Sequence, residues 1–205
     1  MVDYGMGNRR SVVKAFERIG CALLATADHA ALRHVDGLVV PGVGAFPAAM
    51  RRLRELNLDE VVIERAQAGV PVLGLCLGMQ LLFDGSEEHE GAAGLGLLAG
   101  RVVRLDAGGL KLPHIGWNSV SWRRSSPLIA GLPDPAAFYH VHSFVPDPLD
   151  PSIVLGTGDY GSPFVSFVQR GNVYGAQCHP EKSSTHGLAL LRNFVAICTT
   201  VHAAP

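Results

Sequence analysis

Residues 71–83 read PVLGLCLGMQLLF. Val72, Leu73 and Leu75 form the short apolar run expected of a strand buried on both faces. From Gly78 to Phe83 the residues read as the start of a helix. Between the two lies Gly74-Leu75-Cys76-Leu77-Gly78. A nucleophile on a sharp strand-to-helix turn needs small neighbours, because the backbone takes strained angles there and substrate must come close. The helix that follows points N–H groups and a positive dipole end at the thiol, which favours thiolate. A buried cysteine can also be a small hydrophobe, but the strand, the paired glycines and the following helix together favour the nucleophile.

The alternation of strand and helix continues upstream. Met1–Tyr4 reads as the end of a strand, and Ser11 is placed to cap a helix over VVKAFERIG (12–20) that stops at Gly20. CALLAT (21–26) and GLVVPG (37–42) read as buried strands, and 45–55 and 59–67 as amphipathic helices. This order predicts an α/β fold, a mostly parallel central sheet flanked by helices, with its site along the C-terminal edge of the strands. The second half changes character. Segments 101–105, 117–122, 138–145 and 152–160 read as strands, 163–178 as a hairpin turning at Arg170-Gly171-Asn172, and about 184–198 as a closing helix. These add antiparallel strands to the sheet.

The 205 residues suit a single domain over 1–205 with a substantial core. A formal net charge of −1 gives no reason to expect nucleic acid or an anionic membrane as partner. The apolar stretches are broken by Gly, Pro or Gln, so no membrane span is expected. MVDYGMGNRR has no apolar signal core. Cys21, Cys76, Cys178 and Cys198 lie far apart with no CxxC pair, the pattern of a reduced, cytoplasmic chain. The nine histidines lack ligand spacing, and no metal or other cofactor is expected.

A nucleophilic cysteine needs a base, and the base an orienter. The candidates lie far downstream, in QCHPEKS (177–183). Pro180 disfavours helix at His179. In an extended segment His179 and Glu181 project to one side, where the carboxylate can accept the second imidazole N–H and fix the tautomer. An acid two residues after the histidine does not follow the α/β-hydrolase order of nucleophile, acid, histidine.

GLCLGMQ (74–80) with His179-Pro180-Glu181 resembles the class I, triad-type glutamine amidotransferases. DYGMGN (3–8), PGVG (41–44), PHIGWN (113–118), YHVHS (139–143) and HPEKS (179–183) extend the likeness over nearly the whole chain, toward the glutaminase subunits of imidazole glycerol phosphate synthases. The resemblance implies an enzyme that hydrolyses glutamine to glutamate and ammonia. It implies Cys76 as nucleophile, His179 as base then acid, and Glu181 as its orienter. Leu77, with Val43 or Gly44, would form the oxyanion hole, and Gly44, Gln80, Ser143 and Phe144 would contact glutamine. The family often has an aromatic hydroxyl where Phe144 stands. The implied partner is a (β/α)8-barrel cyclase subunit, in a heterodimer that serves histidine biosynthesis. Tyr4, Met6, Asn8, His114, Trp117, Asn118 and Lys182 are expected to face it.

Other patterns are set aside. Gly5-x-Gly7 invites a dinucleotide fingerprint, but its third glycine would fall on Arg10. His140 and His142 alternate on one strand and invite a metal pair, but a strand with one His contacting substrate or partner and no metal is the better reading. Cys178 should point away from His179 and pack. A glutaminase for another acceptor, such as a pyridoxal phosphate synthase, is opposed by DYGMGN and PHIGWN. A silent scaffold is opposed by the intact Cys76, His179 and Glu181.

Overall fold

Three short apolar segments, each buried at every position, lie side by side at the heart of the molecule: β1 (Leu38–Val40), β2 (Val72–Leu75) and β11 (Val173–Ala176). β2 lies between the other two and pairs with both in parallel. Side chains alternate across the sheet. Leu38, Val40 and Val72 enter one apolar cluster, and Val39, Leu73 and Leu75 the other. The computed structural model describes residues 1–201.

Around these strands the chain places α1 (Arg9–Arg18), α2 (His29–Arg33), α3 (Phe46–Glu55), α4 (Leu58–Gln67) and α5 (Leu77–Leu81). Next come β3 (Phe83–Ser86), β4 (Ala92–Ala93), β5 (Leu98–Arg104), β6 (His114–Trp122), β7 (Ala136–His142), β8 (Phe144–Pro148), β9 (Val154–Asp159), β10 (Pro163–Arg170) and α6 (Ser184–Val201). A seven-stranded sheet runs β1-β2-β11-β10-β9-β6-β7, and a four-stranded sheet runs β4-β3-β5-β8. The large sheet is mixed: parallel from β1 to β11, antiparallel from β11 through β7. α3 and α4 pack on one face through Met50, Leu53, Val61 and Val62. α1 and α6 cover the other through Phe16, Leu190, Leu191 and Phe194, the last three at helical spacing. No helix of the described residues is long and apolar enough to cross a membrane.

Several boundaries differ from the sequence reading. α1 begins at Arg9 rather than after Ser11, because the Ser11 and Val12 N–H groups already bond the Asn8 carbonyl. Segment 21–26 forms no strand. It pairs with the first residues of the chain, at an isolated parallel bridge between Val2 and Thr26. The helix after Cys76 ends at Leu81, and Phe83 opens a strand. The run 138–145 breaks at Ser143, where the chain leaves β7 in one sheet and enters β8 in the other. α2, capped by the Asp28 carboxylate accepting from Ala31 N–H, is not among the helices expected from the sequence.

Candidate active site

The C-terminal ends of β1, β2 and β11 face the same edge, as parallel neighbours must. β1 delivers Pro41–Gly44, β2 delivers Cys76, and β11 leads within three residues to His179. Residues from distant parts of the chain are thus set side by side by strand pairing alone.

Cys76 stands on the turn with φ 53° and ψ −114°, a left-handed conformation costly for a residue with a β-carbon. The cysteine itself carries the strain. Its flanking glycines serve another end, the close approach of β2, α5 and β1. A β-carbon at Gly74 would lie 2.6 Å from the Gly78 carbonyl oxygen, and one at Gly78 would overlap the Val40 carbonyl. The turn is pinned by Cys76 N–H donating to the Ala176 carbonyl (2.7 Å). α5 has only five residues, so its dipole is a smaller influence on the thiol than a full helix would exert.

His179 is extended, as Pro180 requires. Glu181 then turns back on a single 3-10 turn, Pro180–Lys182, so the pair meets through a turn and not through strand alternation. His179 Nδ1 donates to Glu181 Oε1 at 2.9 Å, and the carboxylate is 2% exposed. Cys76 also bears on the ring, as a hydrogen-bonding neighbour and a charge that favours its protonated form. Burial works against the imidazolium, but the hydrogen bonds and negative charges of Cys76 and Glu181 outweigh it and raise His179 to about 10. Ser183 anchors the segment: its hydroxyl donates to the His179 carbonyl and accepts from Tyr139 N–H. A thiol beside an imidazole that a carboxylate orients can pass its proton to that imidazole and regain a nucleophile's charge.

Cys76 and His179 open into a cavity of about 330 Å³. All the residues expected at the oxyanion hole and substrate border it: Val43, Gly44, Leu77, Gln80, Ser143 and Phe144. Leu77 N–H is the first of its helix and has no intrahelical acceptor. Of the other lining residues, Glu88, Pro113 and Val141 had no role in the sequence reading. Glu88 accepts from Phe46 N–H through Oε2 (2.8 Å). His142 forms part of a wall of buried imidazoles, and Lys182, expected only at a partner surface, also borders the cavity. Gln177, buried beneath the site, was quoted in the motif but given no role; its Nε2 lies 3.8 Å from Cys76 Sγ.

The residues expected to face a partner fall into two groups. Trp117 is 55% exposed, its ring edge-on to Tyr139, over which Lys182 Nζ lies at 5.9 Å. Met6, Asn8 and Asn118 are partly exposed. Tyr4 and His114 must be corrected, because both are buried and offer no side-chain surface. Tyr4 is 0% exposed, and its hydroxyl donates to the Pro41 carbonyl at 2.6 Å, bracing the loop beside Cys76. His114 stacks on Tyr160 and bonds His142. Cys178 packs in the second apolar cluster, away from the cavity, with burial pushing its thiol well up. Among the described residues no group of three His, Cys, Asp or Glu could hold a metal.

The chain matches the family described as Glutamine amidotransferase class-I over residues 1–198. It is 48% identical over 194 residues to the imidazole glycerol phosphate synthase subunit HisH of Moorella thermoacetica, covering 95% of this chain and 92% of that protein. It is 47% identical over 195 residues to the subunit of the same name from Aquifex aeolicus, covering 95% and 94%. A crystal structure of a glutamine amidotransferase, 21% identical, aligns with TM-score 0.75 over 97% of each chain and supports the fold alone. The likeness takes in the parallel strands, the elbow and nearly all of the closing helix, and the chain belongs to the class I glutamine amidotransferase family.

Proposed function

We propose that this chain is the glutaminase subunit of an imidazole glycerol phosphate synthase, with Cys76, His179 and Glu181 as its triad. The observation that carries the chemistry is His179 held between Cys76 and Glu181 at the mouth of the cavity. The relatives named HisH support the assignment within the family.

In this reading the Cys76 thiolate attacks the side-chain carboxamide carbon of glutamine. The developing oxyanion takes hydrogen bonds from Leu77 N–H and from an N–H of Val43 or Gly44. His179, protonated, gives its proton to the departing ammonia, leaving a γ-glutamyl thioester. Water, deprotonated by His179, then attacks the thioester and releases glutamate. Glu181 holds the ring's tautomer throughout. Gln80, Ser143 and Phe144 line the substrate, and Glu88 offers the carboxylate that an α-ammonium group needs.

The ammonia passes to a cyclase subunit, which incorporates it in making imidazole glycerol phosphate and an aminoimidazole carboxamide ribotide for histidine biosynthesis. Trp117, Asn118, Met6, Asn8 and Lys182 form the docking face, next to the cavity that releases the ammonia. The working compartment is the reducing cytoplasm, where the four cysteines remain free thiols.

The test is glutamine hydrolysis by the purified chain, alone and with a HisH-partnering cyclase and its nucleotide ligand, beside Cys76→Ala. Hydrolysis that rises at least about tenfold with the cyclase and vanishes in the variant is expected. Cys76-dependent hydrolysis indifferent to the cyclase overturns the partner. Hydrolysis retained in Cys76→Ala overturns the triad.

A further inference from the structure

Beneath the elbow lies a pair of side-chain amides, of which the mechanism above gives a role only to Gln80. Their hydrogen bonding starts at the Phe144 carbonyl, which can only accept. Gln80 Nε2 donates to it at 3.0 Å and His142 Nδ1 at 3.2 Å. This fixes the orientation of the Gln80 amide, with its nitrogen toward Phe144. The same Nε2 also donates to Gln177 Oε1 at 3.0 Å. Gln177 must therefore present its oxygen to Gln80 and its nitrogen the other way. That nitrogen lies 3.8 Å from Cys76 Sγ. Gln177 is 0% exposed, so no water competes for the bond.

The second contact of the sulfur has the opposite sense. Cys76 Sγ lies 3.8 Å from the Val141 carbonyl oxygen, an acceptor that suits the thiol and repels the thiolate. The Gln177 N–H suits the thiolate, since a charged acceptor strengthens the hydrogen bond it receives. The two contacts therefore reward the two ionisation states of one atom.

We propose that Gln177 is a catalytic residue, an amide donor that Gln80 orients onto the Cys76 thiolate. His179 supplies the proton exchange and the charge, and Gln177 supplies a fixed donor that stays with the sulfur after the His179 proton has gone to ammonia. Gln80 thereby joins the cavity wall at Phe144 to the nucleophile, with its amide nitrogen committed and only its oxygen left to face substrate.

The inference rests on the reading of Cys76 as the nucleophile, and the experiment separates the two. The rate of Cys76 alkylation by iodoacetamide is followed from pH 5 to pH 10 in the full chain, in Gln177→Met and in Gln80→Glu, with circular dichroism to check the fold. Gln177→Met keeps the bulk and removes the donor. Gln80→Glu removes the bond that orients Gln177, so the amide turns its nitrogen to the new carboxylate and its oxygen to the sulfur. Both variants should carry the acid limb of the rate profile about one pH unit higher, so that on that limb they react about tenfold more slowly than the parent, the equivalent of one hydrogen bond to a charged group. Two variants guard against a misfolded one. A folded variant with the parent pH profile overturns the role of Gln177, and so does a rate lowered equally at every pH, which reports access and not charge. A parent Cys76 no more reactive than a free thiol overturns the reading of the nucleophile itself.

Discussion

Two histidines border the same cavity and are held in opposite states. His179 is raised to about 10, whereas His142 is lowered to about 3. Burial is the largest influence on both and works against the charged ring in both. The neighbours differ. His179 sits between Cys76 and the Glu181 carboxylate, both of which favour the charged ring. His142 sits among imidazoles: His114 Nδ1 bonds its Nε2 at 3.0 Å, and His140 lies 5.6 Å away between ring centroids. His114 and His140 are lowered too, chiefly by burial. Desolvation makes a neutral ring the default, and only anionic partners overcome it. One wall of the cavity is thus a proton carrier and the other an uncharged surface.

The largest expected effect comes from removing one anion from the first group. Glu181→Gln should lower kcat by about 10² to 10⁴-fold, as loss of an orienting carboxylate does. It should also move the alkaline limb of the pH–rate profile. In the proposed mechanism His179 must be protonated to release ammonia, so the parent enzyme should lose activity as pH rises through about 10. Without the carboxylate one raising influence is gone, and the limb should move down toward 6.5. Steady-state glutaminase rates from pH 6 to pH 11 would decide. A limb that stays at 10 would mean Cys76 alone sets the state of His179.

The second group governs acid stability. A base whose folded pKa is depressed binds fewer protons folded than unfolded, so stability is present above 6.5 and is lost as pH falls toward about 3. By pH 5 a histidine like His142 withdraws about 2 kcal/mol. Urea midpoints should therefore fall from pH 7 to pH 5. His140→Phe should flatten that fall. It should also lower stability at pH 7 by about 1 kcal/mol, through the lost His140–Ser166 hydrogen bond. An unchanged slope in His140→Phe would show that the carboxylates, and not this cluster, set acid lability. His179 has the opposite sign, its contribution being complete below 6.5 and lost as pH rises from there to about 10.

These two groups were unequally legible in the sequence. Cys76 and His179 carry local signs, glycines that permit close packing and a proline that forbids helix. The buried parallel strands were likewise readable from short apolar runs. The antiparallel half was legible as strands but not as pairings, because nothing local joins β6 to β9 or puts the break between sheets at Ser143. The His114–His140–His142 wall depends on β6 pairing with β7, so the alternation of His140 and His142 could not disclose it. Gln177 and Glu88 act across long stretches of chain, the first over 101 residues to Cys76. Tyr4 misled for a related reason. A motif tyrosine near an expected docking face looks available, and only the carbonyl of Pro41 explains why it is buried.

The smallest effect separates burial from charge in the contrast itself. The positive His179 ring is one of the influences that lower His142, but it ranks last, after burial, His114 and the opposing Phe144 carbonyl. His179→Asn removes that charge while leaving the β7 wall packed. Ring-nitrogen shifts in NMR spectra of selectively labelled protein should then show His142 still neutral at pH 5, with its acid titration raised by only a few tenths of a unit. The bond to Phe144 fixes the proton on Nδ1, so the Nδ1–H tautomer should persist in parent and variant alike. Were His142 to titrate near 6 in His179→Asn, the charge across the cavity would be the cause of its neutrality. The two walls would then be one electrostatic unit, and any change of state at His179 during turnover would reach the glutamine-lining strand. If it stays neutral, the wall is set by packing alone, and the proton traffic of catalysis is confined to Cys76, His179 and Glu181.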